Sequence, residues 1–143
     1  MVKKADRPKH IVKTALGLAA AGRWSSVSLR DIAEASDVSL AELHELYPSK
    51  VAIVRAHFRA VDETVLKTTF AFETDDSARD RLFDVLMRRF DALSEDRDGV
   101  LSILHALRCD PLAALCLADT FAGSMRWMLE PECVFERVWD FAS

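Results

Sequence analysis

The chain is short of residues that interrupt or staple a backbone. It has 4 glycines and 4 prolines in 143 residues, so long uninterrupted elements are expected and a low-complexity or repetitive chain is excluded. Its three cysteines, Cys109, Cys116 and Cys133, are odd in number and lack a Cys-x-x-Cys pair. That excludes a disulfide framework and a zinc site, and fits buried thiols in a reducing cytoplasm. The histidines at 10, 44, 57 and 105 have no metal-ligand spacing, so neither metal nor cofactor is expected. No apolar run approaches the ~18 residues that cross a bilayer, so no transmembrane segment is expected. A phosphate-cradling glycine loop and a Gly-x-Ser-x-Gly elbow are both missing. The paired carboxylates Asp75/Asp76 and Asp96/Asp98 fall in polar breaks, and His57, beside Phe58, reads as a surface or boundary residue. No catalytic residue is assigned and the chain does not read as an enzyme.

What is present is a helical pattern on an uneven charge distribution. Hydrophobic residues make up 50% of the chain, enough for a core, and charged residues 29%. The net charge is −4, but residues 1–60 hold 10 Lys/Arg against 6 Asp/Glu, and residues 61–143 hold 9 against 17. A basic first part on an acidic body implies that the first part faces a polyanion. Lys3, Lys4, Arg7 and Lys9 precede a small-residue run, Ala15 to Gly22. The run has only Leu16 and Leu18 as large residues and keeps helical spacing, so it reads as a helix and not as an export signal.

No stretch alternates with period two for long enough to form a strand, and the fold class is all-α. A first helix is expected from Pro8 to Ala21, closed by Gly22. A loop follows, Arg23 to Ser26, with Val27 tucked under the second helix. Ser28 and Asp31 form a capping box that opens this second helix, with Leu29, Ile32 and Ala33 inward. Ser36-Asp37 make the turn and Val38 plugs the space beside it. Ser39 and Glu42 repeat the box and open a third helix that ends near Leu46, with Leu43 and Leu46 as core contacts. Tyr47-Pro48 stops it. Ser49 caps a long fourth helix, Lys50 to about Phe72, striped by Val51, Val54, Phe58, Val61 and Val65. After the polar break Glu73 to Asp76, Ser77 starts a fifth helix. A short helix follows the break Ser94 to Gly99. Asp110-Pro111 caps another, which runs to about Leu129. The tail, Glu132 to Ser143, has Val134, Phe135, Val138 and Trp139 spaced for a short last helix, and its aromatics Phe135, Trp139 and Phe141 suit burial against a partner or a lipid surface. The organisation expected is a helix-turn-helix module, residues 1–50, joined to a helical body, residues 51–143.

Residues 8–60 resemble the N-terminal domain of TetR-type transcriptional regulators. The resemblance rests on the alanine pattern of the first helix with Gly22, on Ser28-Leu29-Arg30-Asp31-Ile32-Ala33, on Val38-Ser39, and on the run Leu43 to Lys50. It implies a homodimer on duplex DNA with the third helix in the major groove. It also implies Lys50 and Ser28 as phosphate contacts, Ser39, Leu40, Ala41 and His44 as groove residues, and Tyr47 as a packing or phosphate contact. This chain departs from the family pattern at Ala41, Glu42 and His44, where glycine, threonine and an aromatic residue are usual. Glu42 and Glu45 place two carboxylates on the reading helix. Glu42 has a role as the capping partner of Ser39, whereas Glu45 has none in the sequence.

Residues 81–130 also resemble the ubiquinone-biosynthesis accessory family, through Arg81-Leu82-Phe83 to Phe90, Leu101-Ser102-Ile103-Leu104 and Met125-Arg126-Trp127-Met128, with Gly22-Arg23-Trp24 as an echo. That resemblance implies the same fold holding an isoprenoid-type lipid without reading DNA. Both families carry further helices beyond this point, so the chain reads as a shortened member. A helical bundle can leave an apolar cavity, and Phe83, Met87, Phe90, Leu104, Phe121, Met125 and Trp127 either line one for a small hydrophobic ligand or simply fill the core. The leading expectation is a ligand-responsive DNA-binding regulator in the cytoplasm. The alternative is the lipid-binding accessory protein.

Overall fold

The computed structural model describes residues 3–67 and 77–129. These form the helices α1 (Arg7–Ala21), α2 (Leu29–Ser36), α3 (Leu40–Leu46), α4 (Lys50–Lys67), α5 (Ala78–Ser94), α6 (Arg97–Leu107) and α7 (Pro111–Leu129), with short 3-10 turns at Lys4–Asp6 and Trp24–Ser26. There is no strand among the described residues. The expected end of α4 near Phe72, the break Glu73 to Asp76 and the tail helix lie outside the described residues.

The caps set the helix starts as the sequence implies. Ser28 Oγ accepts from the Asp31 N–H at 3.1 Å, and Asp31 Oδ2 accepts from the Ser28 N–H at 2.8 Å. Ser49 Oγ accepts from Ala52 N–H, Ser77 Oγ from Asp80 N–H, and Asp110 Oδ1 from Ala113 N–H. Each satisfies a backbone donor that a helix start would otherwise leave open. One start differs: α6 begins at Arg97, inside the polar stretch expected to be a break.

One apolar core runs through both parts of the chain. Ile11, Leu16, Trp24, Ile32 and Leu43 from the first part pack with Ile53, Val54, Val100, Ile103 and Leu117 from the second. The core therefore crosses the expected division at residue 50. Its tightest seam is α1 against α6. Gly99 lies so close to α1 that a Cβ there would stand 2.6 Å from the Leu16 carbonyl oxygen. Ser102 extends the seam, donating to the Gly22 carbonyl at 3.1 Å and accepting from the Trp24 N–H at 3.0 Å.

Helix α4 departs from its expected stripe. Val51 and Phe58 are only half-buried, while Ile53, His57 and Asp62 are buried. The helix is covered by α1 on one side and by α5 and α7 on another, so its buried face is wider than a single stripe. His57 is thus a buried residue, 7% exposed, and not a surface one. Asp62 pairs with Arg89 of α5, Oδ1 to Nη1 at 2.9 Å, and the guanidinium lies 4.4 Å from the Phe121 ring centroid of α7. Leu46, expected in the core, is exposed because Tyr47 takes the inward position at the end of α3.

Candidate nucleic-acid interface

The interface is built by α2, a tight turn and α3. After Ser36 the chain reverses through Asp37, which adopts a left-handed conformation at φ 57°. The Val38 N–H then reaches back to the Ala33 carbonyl at 3.1 Å and closes the end of α2. Asparagine and aspartate tolerate this region better than most residues, which explains the residue at the turn. Ser39 restarts the chain as a helix, its Oγ accepting from the Glu42 N–H at 3.1 Å.

Seven residues of α3 then divide into two faces. Leu43 is fully buried and Tyr47 beyond it is half-buried; Leu40, Ala41, His44 and Glu45 are exposed. With about 100° per residue, Ala41 and Glu45 lie near the centre of the outer face, His44 and Leu40 to one side and Glu42 to the other. Every groove candidate, Ser39, Leu40, Ala41 and His44, is therefore at the surface.

The other candidates are committed to holding the module in place. The Tyr47 hydroxyl donates to the Pro8 carbonyl at 3.2 Å, tying the end of α3 to the start of α1, and burial pushes its pKa up. The Ser28 hydroxyl is engaged in the α2 cap, whose hydrogen bonds hold the Asp31 carboxyl below its usual range. Lys50 donates from Nζ to the Trp24 carbonyl at 2.6 Å and lies 4.5 Å from the Trp24 ring centroid. Burial pulls its pKa down, with Asp31 acting in the opposite sense. Lys50 thus sits in an internal clasp, a cation over an aromatic face, and meeting a phosphate there requires it to leave the Trp24 carbonyl.

The Glu42 carboxylate does not close a box with Ser39 as the sequence suggests. It accepts from Arg7 Nη1 on the first turn of α1. The partner is 35 positions away in sequence, and the Pro8–Tyr47 bond brings the two elements together. Glu45 stays exposed with no ion pair among the described residues. The basic N-terminal segment is itself divided. Lys3 and Lys4 are exposed, Arg7 is held at α3, and Lys9 with Lys13 lines a groove beside Glu95 and Asp96.

Arg7, expected with Lys3, Lys4 and Lys9 in a basic arm along the phosphates, is tied to Glu42, and Trp24 and Ser102 are positioning residues that the sequence does not mark. No local pattern signals them, because each acts through a partner on another helix.

Among the described residues, the side chains expected near a ligand are exposed. Phe83 is 65% exposed and Phe90 63%, and Met87, Leu104 and Phe121 are also open to solvent. The side chains of Met125 and Trp127 lie outside the described residues. A groove of 550 Å³ runs beside Trp24, Ser102, His105 and Cys109, adjoining one of 330 Å³ beside Lys50, Val54 and Leu117. Both described cysteines, Cys109 and Cys116, are exposed and not buried as expected. Among the described residues no acidic, histidine and cysteine cluster could hold a metal, and no helix is long and apolar enough to cross a membrane.

No family model matches the chain, and no curated protein matches it. Solved structures do. A TetR transcriptional regulator from Nitrosomonas europaea superposes with a TM-score of 0.71 at 27% identity, over 86% of this chain and 72% of that one. A TetR transcriptional regulator from a Rhodococcus species superposes with a TM-score of 0.62 at 17% identity, over 90% of this chain and 68% of that one. The all-helical architecture is that of TetR-type regulators.

Proposed function

We propose that this chain, which has the TetR-type fold, is a DNA-binding transcriptional regulator that works as a homodimer. One observation carries the reading. The capped helix-turn-helix presents Ser39, Leu40, Ala41 and His44 outward on a short helix anchored at both ends. Such a helix fits the width of the major groove. Ser39 and His44 supply hydrogen-bonding groups for base edges, and Leu40 and Ala41 supply apolar contacts of the kind a thymine methyl takes. Lys3, Lys4 and Arg30 are exposed cations in the same part of the chain, suited to phosphates.

In this reading a small hydrophobic ligand in the body shifts the spacing of the two reading helices, by binding one arrangement better than the other. The α1–α6 seam supports it, because α6 touches both the body and the first helix of the reader.

The test is a gel shift against a genomic fragment library at two salt concentrations. A subset of fragments should be retained, with affinity falling steeply as salt rises. Failure to retain any fragment at low salt would remove the regulator reading. The exposed Phe83 and Phe90 on α5 favour a second reading, the lipid-binding accessory protein. That reading requires a co-purifying lipid in an organic extract together with indifference to DNA.

A further inference from the structure

The reading helix has two carboxylates and no lysine or arginine of its own. Near a duplex that is unfavourable, since binding is driven largely by cations displacing counterions from phosphates. The structure supplies a cation from elsewhere. Arg7, on the first turn of α1, places its guanidinium against the Glu42 carboxylate on the flank of the outer face of α3. Both side chains remain 29% exposed, so the pair is at the surface and open to a ligand. Two independent ties hold it there: Tyr47 bonded to the Pro8 carbonyl next to Arg7, and Ser39 fixing the turn that carries Glu42.

A guanidinium is a planar fork with several N–H donors. The bond to Glu42 uses one Nη atom and leaves the other donors of the fork for a further acceptor. On the flank of a helix lying in the major groove, the acceptors within reach are phosphate oxygens of the groove wall. We propose that Arg7 is a DNA-phosphate contact of the reading surface, and that Glu42 is its positioning residue. This rests on the regulator reading. In it the glutamate is no liability to binding: it aims a cation that α3 itself does not carry.

The test is a set of variants titrated by fluorescence anisotropy against one labelled duplex that the wild type retains. Arg7→Ala should weaken binding roughly tenfold and flatten the dependence of log affinity on log salt by about one. Arg7→Lys should keep the salt dependence but lose part of the affinity, because the charge stays and the fork does not. Glu42→Gln should change affinity by no more than a few-fold. The decisive variant is Arg7→Ala with Glu42→Gln, which should stay roughly tenfold weaker than Glu42→Gln alone. Thermal melts by circular dichroism establish that each variant is folded. If the double variant recovers wild-type affinity and salt dependence, Arg7 only cancels the Glu42 charge and the proposal fails. It fails too if folded Arg7→Ala binds as the wild type does. A wild type that binds no fragment at all overturns the regulator reading along with it, a result distinct from one in which only the Arg7 variants are silent.

Discussion

At the scale of single residues, the main lesson is that side chains which look available are already occupied. Lys50 would be read from the sequence as a free cation at a helix start; it lies on the Trp24 ring and bonds the Trp24 carbonyl. His57 is the reverse case, an imidazole expected at the boundary and found buried, with no hydrogen-bond partner for Nε2 among the described residues. Burial favours its neutral form and pulls its pKa below the ordinary value, while Asp96 pushes the other way. The folded pKa is thus below the unfolded one. At neutral pH both states hold a neutral ring and nothing is lost. As pH falls below about 6.5 the unfolded chain takes up a proton that the folded chain resists, so stability falls. From this one group the slope is at most about 1.4 kcal/mol per pH unit. His57→Leu should keep a folded protein and reduce the loss of melting temperature between neutral pH and mildly acidic pH. An unchanged pH profile would show that the ring does not contribute.

At the scale of elements, the helices other than α6 are legible because their starts are written locally, whereas α6 has no side-chain cap. Ser28, Ser49, Ser77 and Asp110 each bond a backbone N–H three residues on, and a three-residue relation is visible in a string of letters. The turn was legible as well, since Ser36-Asp37 marks it. What could not be read were relations between helices. In sequence Glu42 neighbours Ser39, whereas its partner Arg7 is near only in space. The buried faces of α4 are hidden from the sequence for the same reason. A stripe can be counted from spacing, but a helix covered on several sides buries His57 and Asp62 too. The groove candidates on α3 come from the TetR resemblance, and all four are exposed. The turn also carries a prediction. Asp37 holds a positive φ without the freedom of glycine, a conformation that disfavours side chains by roughly 1 kcal/mol. Asp37→Gly should therefore stabilise the protein by about 0.5–1 kcal/mol, raising the melting temperature by a few degrees. A lower melting temperature would show that the aspartate contributes more to the start of α3 than its backbone costs.

At the scale of the molecule, the helix-turn-helix and the body share one core. Leu16 and Trp24 are buried against residues from α4, α6 and α7, and the ion pair of Asp62 with Arg89 joins α4 to α5 deeper in the body. A segment of about fifty residues is already near the lower limit for independent folding, and this one would lose the covering of its own tryptophan. Residues 1–50 made alone should show little helical signal by circular dichroism and no cooperative melt, whereas the full chain should melt cooperatively. A cooperative transition in the fragment would show that the shared core is not needed for the reader to fold.

Gly99 gives the joint between reader and body a peculiar property. The spacing of the two rods that meet there is fixed by a missing atom, since the smallest side chain would strike the backbone of its neighbour. Any methyl group inserted at that point acts as a wedge with its thin end under the first helix. Anyone wishing to transplant the helix-turn-helix onto another protein must therefore carry the hydrogen-only residue and its helix along as the socket.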